Sequence, residues 1–477
     1  MKGLKKALAI FRGAAKNIDA YKNFIKEHGI RPDKVNNIAD FKKIPLTDKR
    51  NYLLEYELPK LFARGKIPPM AYASSGSSGR PLFWFRGDDG EKAGTDIHEK
   101  IFKNIFNIHK NDSTLVVICF SMGVWVAGNY TLACCRDLAR RGYNLTSISP
   151  GTEKEDIFNT LKDLAPKFKN LILAGYPPFI MDIINELPRR RITLKNDIRV
   201  LTAGDKFSED WRATVLKTLK IKNFDYVISI YGSADAGIMG FETPLSIYLR
   251  RLAVKNPHIY KKLFGESSVL PALVQYNPEY IFFEEVGGEF VLTTETSAPL
   301  VRYNIHDTGR LFSYDDMIRV IKDGGLEKDA REQGLLVWKM PFLVVEGRSD
   351  VAVTFYALNI YPEHIKMSLE DKRISKLISG NYFIYNKTIN KGRVQKLCLN
   401  LELAPGVETS QEIQVLTTNI FVENLKKVNS EFRKLHLSLE SRVIPTVKII
   451  PHGSGGLRAK NTKGLVQIGG KKAKFLV

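Results

Sequence analysis

The sequence predicts an α/β protein: a large N-terminal domain of mixed sheets flanked by helices, β-rich towards its end, followed by a small α+β domain. Three observations carry this reading. Between about residues 88 and 233, stretches with helical spacing alternate with short apolar runs, the pattern of βαβ units around a largely parallel sheet. After residue 280 the pattern turns to strand and hairpin. Beyond Gly347-Arg348-Ser349-Asp350 it mixes strand-like and helical segments, which divides the chain into domains 1–346 and 347–477.

The elements follow in order. Ala7-Leu8-Ala9-Ile10-Phe11 is interrupted by Arg12 and is too short for a secretory apolar region of about 7–15 residues, so the N-terminus reads as a basic amphipathic surface helix. Ile97, Ile101, Ile105 and Ile108 share one helix face. Leu115 to Cys135 carries no charge and would reach across a bilayer of about 30 Å. Its β-branched opening and the residues Ser121, Gly123, Gly128 and Asn129 favour a buried strand (Leu115–Phe120), a turn and a buried helix. Thr152 and Glu155 form a capping-box pattern before Ile157, Leu161 and Leu164. Leu171–Ala174, Arg199–Ala203 and Tyr226–Ile230 are further short strands. Phe282 to Thr293 reads as a hairpin around Gly287-Gly288. Tyr382–Tyr385 reads as a strand, and residues near 411–435 as a helix.

Composition narrows the class. At 477 residues the chain has room for two or three domains of about 150. With 44% hydrophobic and 26% charged residues it is neither disordered nor collagen-like. The 4 cysteines form no CxxC pair and no Cys/His quartet, which excludes a disulfide framework or structural zinc site and fits a reducing cytoplasm. The net charge of +21 is concentrated at the ends, in Lys2, Lys5, Lys6, Arg12 and Lys16 and again in Arg458, Lys460, Lys463, Lys471, Lys472 and Lys474. A solubilising surface that also attracts a phosphate-bearing ligand is the preferred reading. Contact with an anionic membrane surface stays open. Nucleic acid is not expected, because no aromatics interleave with the terminal charges.

The segment richest in chemistry is Ser74-Ser75-Gly76-Ser77-Ser78-Gly79-Arg80-Pro81. Glycines let backbone N–H groups approach an anion, serine hydroxyls donate to phosphate oxygens, and Arg80 adds a fixed cation. A flexible linker has the same composition, but the flanks Met70-Ala71-Tyr72 and Leu82-Phe83-Trp84-Phe85 are strand-like. The stretch resembles the serine/threonine- and glycine-rich signature of the adenylate-forming (ANL) superfamily, with arginine where lysine is usual. Ile230-Tyr231-Gly232-Ser233-Ala234-Asp235 resembles that superfamily's Tyr-Gly-x-Thr-Glu segment, with Ala234 and Asp235 in place of threonine and glutamate. Thr202-Ala203-Gly204-Asp205 looks like the loop bordering adenine, and the region Val301–Arg310 resembles the one that supplies a ribose-binding aspartate, here Asp307. Gly347-Arg348-Ser349-Asp350, with Asn359-Ile360-Tyr361-Pro362-Glu363, is similar to the hinge of the phenylacetate-CoA ligase branch, where Ala357 replaces a glycine.

The resemblance implies an ATP-dependent ligase that converts a carboxylic acid to an acyl-adenylate with release of pyrophosphate. The acyl group then passes to coenzyme A or another thiol or amine. It implies ATP and Mg2+ as cofactors. Ser74, Ser75, Gly76, Ser77, Ser78, Gly79 and Arg80 would meet the phosphates, and Gly204, Asp205, Tyr231, Gly232, Ser233, Asp307 and Arg348 the rest of the nucleotide. Asp235 would hold the metal, and Asp350 would be the hinge of a mobile C-terminal lid. Lys463, with Lys460 as the alternative, would stabilise charge in the transition state. A catalytically degenerate nucleotide- or acyl-binding protein of the same fold is the second reading. The apolar Phe120–Trp125 would line an acyl pocket or serve as core, and His306 reads as a turn residue.

Overall fold

The computed structural model describes residues 2–74, 82–265, 267, 270–349, 353–390, 394–457, 464–467 and 474–476. Its strands are β1 (Met70–Ser74), β2 (Leu82–Arg86), β3 (Thr114–Cys119), β4 (Leu145–Ile148), β5 (Asn170–Gly175), β6 (Asp197–Ala203), β7 (Val227–Ser233), β8 (Gly237–Phe241), β9 (Ala272–Gln275), β10 (Ile281–Val286), β11 (Glu289–Thr294), β12 (Leu300–Phe312), β13 (Phe342–Arg348), β14 (Val353–Phe355), β15 (Leu358–Ile360), β16 (Ile378–Ile389), β17 (Val394–Leu403), β18 (Thr446–Ile450), β19 (Gly464–Gln467) and β20 (Lys474–Leu476). Eleven strands form one sheet in the order β10-β11-β12-β13-β9-β8-β7-β6-β5-β3-β4. The run from β7 to β4 is parallel and the run from β7 to β10 antiparallel. The β-rich stretch is therefore the antiparallel half of the same sheet. The two halves meet at β7, which pairs in parallel with β6 and antiparallel with β8, and β8 joins β9 through Phe241 opposite Gln275.

Apolar patterning explains the parallel half. Leu115, Val117 and Cys119 of β3 enter one core, and Val116, Ile118 and Phe120 enter another, so both faces are covered and the run is uninterrupted. The isoleucine face lies in the second core, with Ile97, Ile101, Ile105 and Ile108 buried. The chain from 115 to 135 is the expected strand and helix, the latter Val126–Arg140. Among the described residues, no helix is long and apolar enough to cross a membrane.

The N-terminal helix, Lys2–Asn17, differs from a free amphipathic surface helix. Ala7, Ile10, Phe11 and Ala14 are buried in a core that includes Tyr21, Phe41 and Val301, so its apolar face is already covered. In the antiparallel half, Gly287 and Gly288 turn the β10–β11 hairpin with φ of 62° and 81°, the left-handed pair that a two-residue turn requires.

The C-terminal part carries a five-stranded sheet, β18-β17-β16-β19-β20, and the small β14–β15 hairpin. Two expectations change here and next to it. The 411–435 segment is two helices, Gln411–Val428 and Ser430–Leu439, broken at Asn429, whose side chain caps the second and donates to the Asn359 carbonyl at 3.0 Å. The Thr152/Glu155 capping box does not form: the helix Lys154–Asn159 has Glu153 at its N-cap without a side-chain bond, and the Thr152 hydroxyl lies 3.2 Å from that of Ser438.

Candidate active site

The carboxyl ends of the parallel strands open a crevice where the sheet changes direction, a position that suits ligands in α/β folds. Tyr231 ends the straight part of β7, and a register shift follows between Tyr231 and Gly232. A Cβ on Gly232 would lie 2.9 Å from the Gly237 carbonyl oxygen, so glycine is required by close approach of β8. Ser233 accepts the Ala236 N–H at 3.1 Å and closes the turn that presents Asp235.

Across the crevice, β12 and β13 pair with Asp307 opposite Arg348. The Tyr231 hydroxyl donates to Asp307, and the Arg348 guanidinium pairs with the same carboxylate at 3.3 Å. Burial and the nearby Asp307 carboxylate hold the Tyr231 hydroxyl far above its ordinary pKa, so it remains a donor. Asp307 is 5% exposed and Asp235 7%, values at which a carboxylate needs partners. Asp235 has two: it accepts the Tyr303 hydroxyl at 2.7 Å and pairs with Lys49 at 3.4 Å.

Lys49 was not legible in the sequence. It sits 5.3 Å over the Trp84 ring, and Trp84 Nε1 donates to the Ser74 hydroxyl at 2.9 Å. Ser74 and Leu82 are paired across β1 and β2. The segment before Lys49 is fixed by pairing with β12: Thr47 N–H donates to the Arg302 carbonyl at 3.0 Å, and Asn304 N–H to that of Thr47 at 2.7 Å. Asp48 then caps the helical turn Lys49–Leu53. His306, read as a turn histidine, adopts a φ of 61° and lies between Asp48 at 3.6 Å and Glu289 at 3.5 Å.

Gly204 and Asp205 follow β6 and face the C-terminal part rather than Tyr231. Gly204 has a φ of 83°, and a Cβ there would lie 3.0 Å from that of Ala357. Asp205 accepts from Gln395 Nε2 at 2.8 Å, from Lys206 N–H at 2.8 Å and from the Ala357 N–H. Burial raises its carboxyl above the ordinary range. Beside these residues lies a cleft of about 320 Å3 between the two parts of the chain, into which Ser121, Met122 and Trp125 of the expected acyl-pocket segment project while Phe120 stays in the core.

Ser74, Gly204, Asp205, Tyr231, Gly232, Ser233, Asp235, Asp307 and Arg348 are thus placed around the crevice and its C-terminal flank. Ser75, Gly76, Ser77, Ser78, Gly79, Arg80, Asp350, Lys460 and Lys463 lie outside the described residues. Among the described residues, no group of three or more His, Cys, Asp or Glu side chains is placed to hold a metal ion.

No protein-family model matches the chain. Among curated proteins it is 21% identical over 361 residues to the phenylacetate-coenzyme A ligase of Aromatoleum evansii, covering 74% of this chain and 71% of the relative. It is also 21% identical over 360 residues to the phenylacetate-coenzyme A ligase of Escherichia coli (strain K12), covering 74% and 72%. Among solved structures it superimposes with a TM-score of 0.64 and 15% identity on a 2-hydroxyisobutyryl-CoA ligase in complex with 2-HIB-AMP and CoA in the thioesterification state, covering 96% of this chain and 87% of that one. Against the same ligase in the postadenylation state with R3-HIB-AMP, the TM-score is 0.51 at 14% identity, covering 97% and 87%. The chain thus shares the fold of these CoA ligase structures and is similar in sequence to two phenylacetate-coenzyme A ligases.

Proposed function

We propose that this chain is an adenylate-forming ligase: it activates a carboxylic acid with ATP and passes the acyl group to coenzyme A or another thiol or amine. The observation that carries this is the meeting of Tyr231, Asp307 and Arg348 in one crevice, with Asp235 and Lys49 beside them. A buried carboxylate can accept both hydroxyls of a ribose, and Asp307 is so placed. Tyr231 would supply an aromatic face for the base, and the Arg348 guanidinium pairs with Asp307 at 3.3 Å. The Ser74–Gly79 stretch with Arg80 would cradle the phosphates, since it departs from strands that flank Lys49.

In the first step a carboxylate oxygen of the acid bonds to the α-phosphorus as the bond to pyrophosphate breaks. Lys463, or Lys460, would offset the charge that builds there. In the second step the acceptor sulfur or nitrogen bonds to the acyl carbon, AMP leaves, and the acceptor proton is released. The division into 1–346 and 347–477, with Asp350 between, would let the C-terminal part serve both steps. A Mg2+ carried in on nucleotide phosphates needs one or two carboxylates from the protein, and Asp235 fits that need. When bound, Mg2+ offsets phosphate charge. Lys49 already neutralises Asp235 from the other side. All four cysteines are free and buried, which suits a cytoplasmic protein. The degenerate alternative is not favoured, because the buried acids keep their tyrosine, arginine and lysine partners.

The test is pyrophosphate release from ATP against pools of aromatic, fatty and amino acids, with and without coenzyme A. Release with one pool, faster with coenzyme A, is expected. ATP binding with no release in any pool would favour the degenerate reading.

A further inference from the structure

The cleft of about 320 Å3 exists only where the two parts of the chain meet: Ser121, Trp125 and Phe179 wall one side, and Ala357, Leu358 and Leu439 the other. Whatever holds the parts together therefore builds it. Besides the Thr152–Ser438 hydroxyl contact, two larger polar contacts do so at its rims. At one rim, the β14–β15 hairpin turns through Tyr356 and Ala357, with φ of 48° and 64°. That is the two-residue turn normally given to Asn-Gly, here formed by residues for which the left-handed region is strained. Successive N–H groups in such a turn point to one side and suit an acceptor. Tyr356 N–H donates to Gln395 Oε1 at 2.9 Å and Ala357 N–H to Asp205, while Gln395 Nε2 donates to Asp205 at 2.8 Å. Gln395 thus holds the strained turn with one end of its amide and hooks it to the large sheet with the other.

At the second rim, Arg442 crosses from the C-terminal part to the helix Pro177–Glu186. Its guanidinium pairs with Asp182 at 2.8 Å and Glu186 at 2.8 Å, and Lys154 also reaches Glu186, at 2.6 Å. The Asp182 side chain is 8% exposed, so this contact leaves no buried acid without a cation.

We propose that Gln395 and Arg442 are positioning residues that latch the C-terminal part over the interdomain cleft, and that the latched arrangement is the one in which the acceptor takes the acyl group. This rests on the ligase reading above. Neither residue contacts Tyr231, Asp235 or Asp307, and Gln395 reaches only Asp205 on the C-terminal flank, so loosening the latch separates the two half-reactions.

The experiment uses the full chain with spin labels at Lys195→Cys and Lys376→Cys, both exposed positions, the native cysteines being buried. The parent is expected to give a narrow interlabel distance distribution, and Gln395→Ala and Arg442→Gln each a broader and longer one. Transfer from preformed acyl-adenylate to coenzyme A is expected to fall about tenfold or more, while pyrophosphate formation stays within about twofold. Arg442 lies at the rim, so that variant tests the latch even if Gln395→Ala fails to fold. An unchanged distribution in Arg442→Gln, or equal losses in both half-reactions, would overturn the proposal. If no acid is adenylated at all, the ligase reading fails, and the distance distribution alone decides the latch.

Discussion

The two flanks of the crevice are built differently. The β7/β12/β13 flank is assembled within one sheet, and its polar groups satisfy one another at short range: Tyr231 and Arg348 on Asp307, Tyr303 and Lys49 on Asp235. The Gly204/Asp205 flank is completed only by the C-terminal part, through a strained turn, a glutamine and a packed alanine methyl. The first is preorganised and suits the fixed recognition of a nucleotide. The second stores strain and carries a buried carboxyl whose pKa is raised, properties of a contact that forms and parts.

The largest effect comes from the β7/β12/β13 flank. Asp307→Ala removes the diol acceptor and leaves Arg348 and Tyr231 without their carboxylate, so ATP and adenosine affinity should both drop about 100-fold. Titration of each ligand measures it, and a loss confined to ATP would place Asp307 at the phosphates instead. Lys49→Gln should do the converse, weakening ATP about tenfold while adenosine binds as before. Equal weakening of both would reduce Lys49 to a structural partner of Asp235.

Smaller effects come from the Gly204/Asp205 flank. Because the folded Asp205 carboxyl lies above its ordinary value near about 4, its protonated form favours the fold, and that contribution is lost as pH rises through the raised value. Asp205→Asn should therefore remove a decline in stability that sets in above about pH 4, read from urea midpoints taken at rising pH. A variant with the parent's slope would assign the decline to other groups. Ala357→Gly relieves one left-handed residue and should stabilise the chain by about 1 kcal/mol or less, since the methyl packing on Gly204 is lost at the same time.

Local chemistry explains what the sequence made legible. Gly287-Gly288 announces its hairpin because glycine is what the turn demands, and the isoleucines at 97–108 announce a helix face by spacing alone. Tyr356-Ala357 makes the same kind of turn without the residues that signal it, because Gln395, Asp205 and Gly204 hold it from elsewhere. Lys49 meets Asp235, and Thr152 meets Ser438, across separations no local pattern encodes. The order of Tyr231, Asp307 and Arg348 was readable; that the first and last converge on the Asp307 carboxylate was not.

The proposed function stands on adenylate chemistry at the preformed flank. Its most direct test is mass detection of an acyl-adenylate after mixing the chain with ATP, Mg2+ and pooled acids in the absence of any thiol or amine. An adduct of one acid with AMP is expected, formed with stoichiometric pyrophosphate and absent with Asp307→Ala. ATP bound at the crevice and recovered intact with every pool would contradict it.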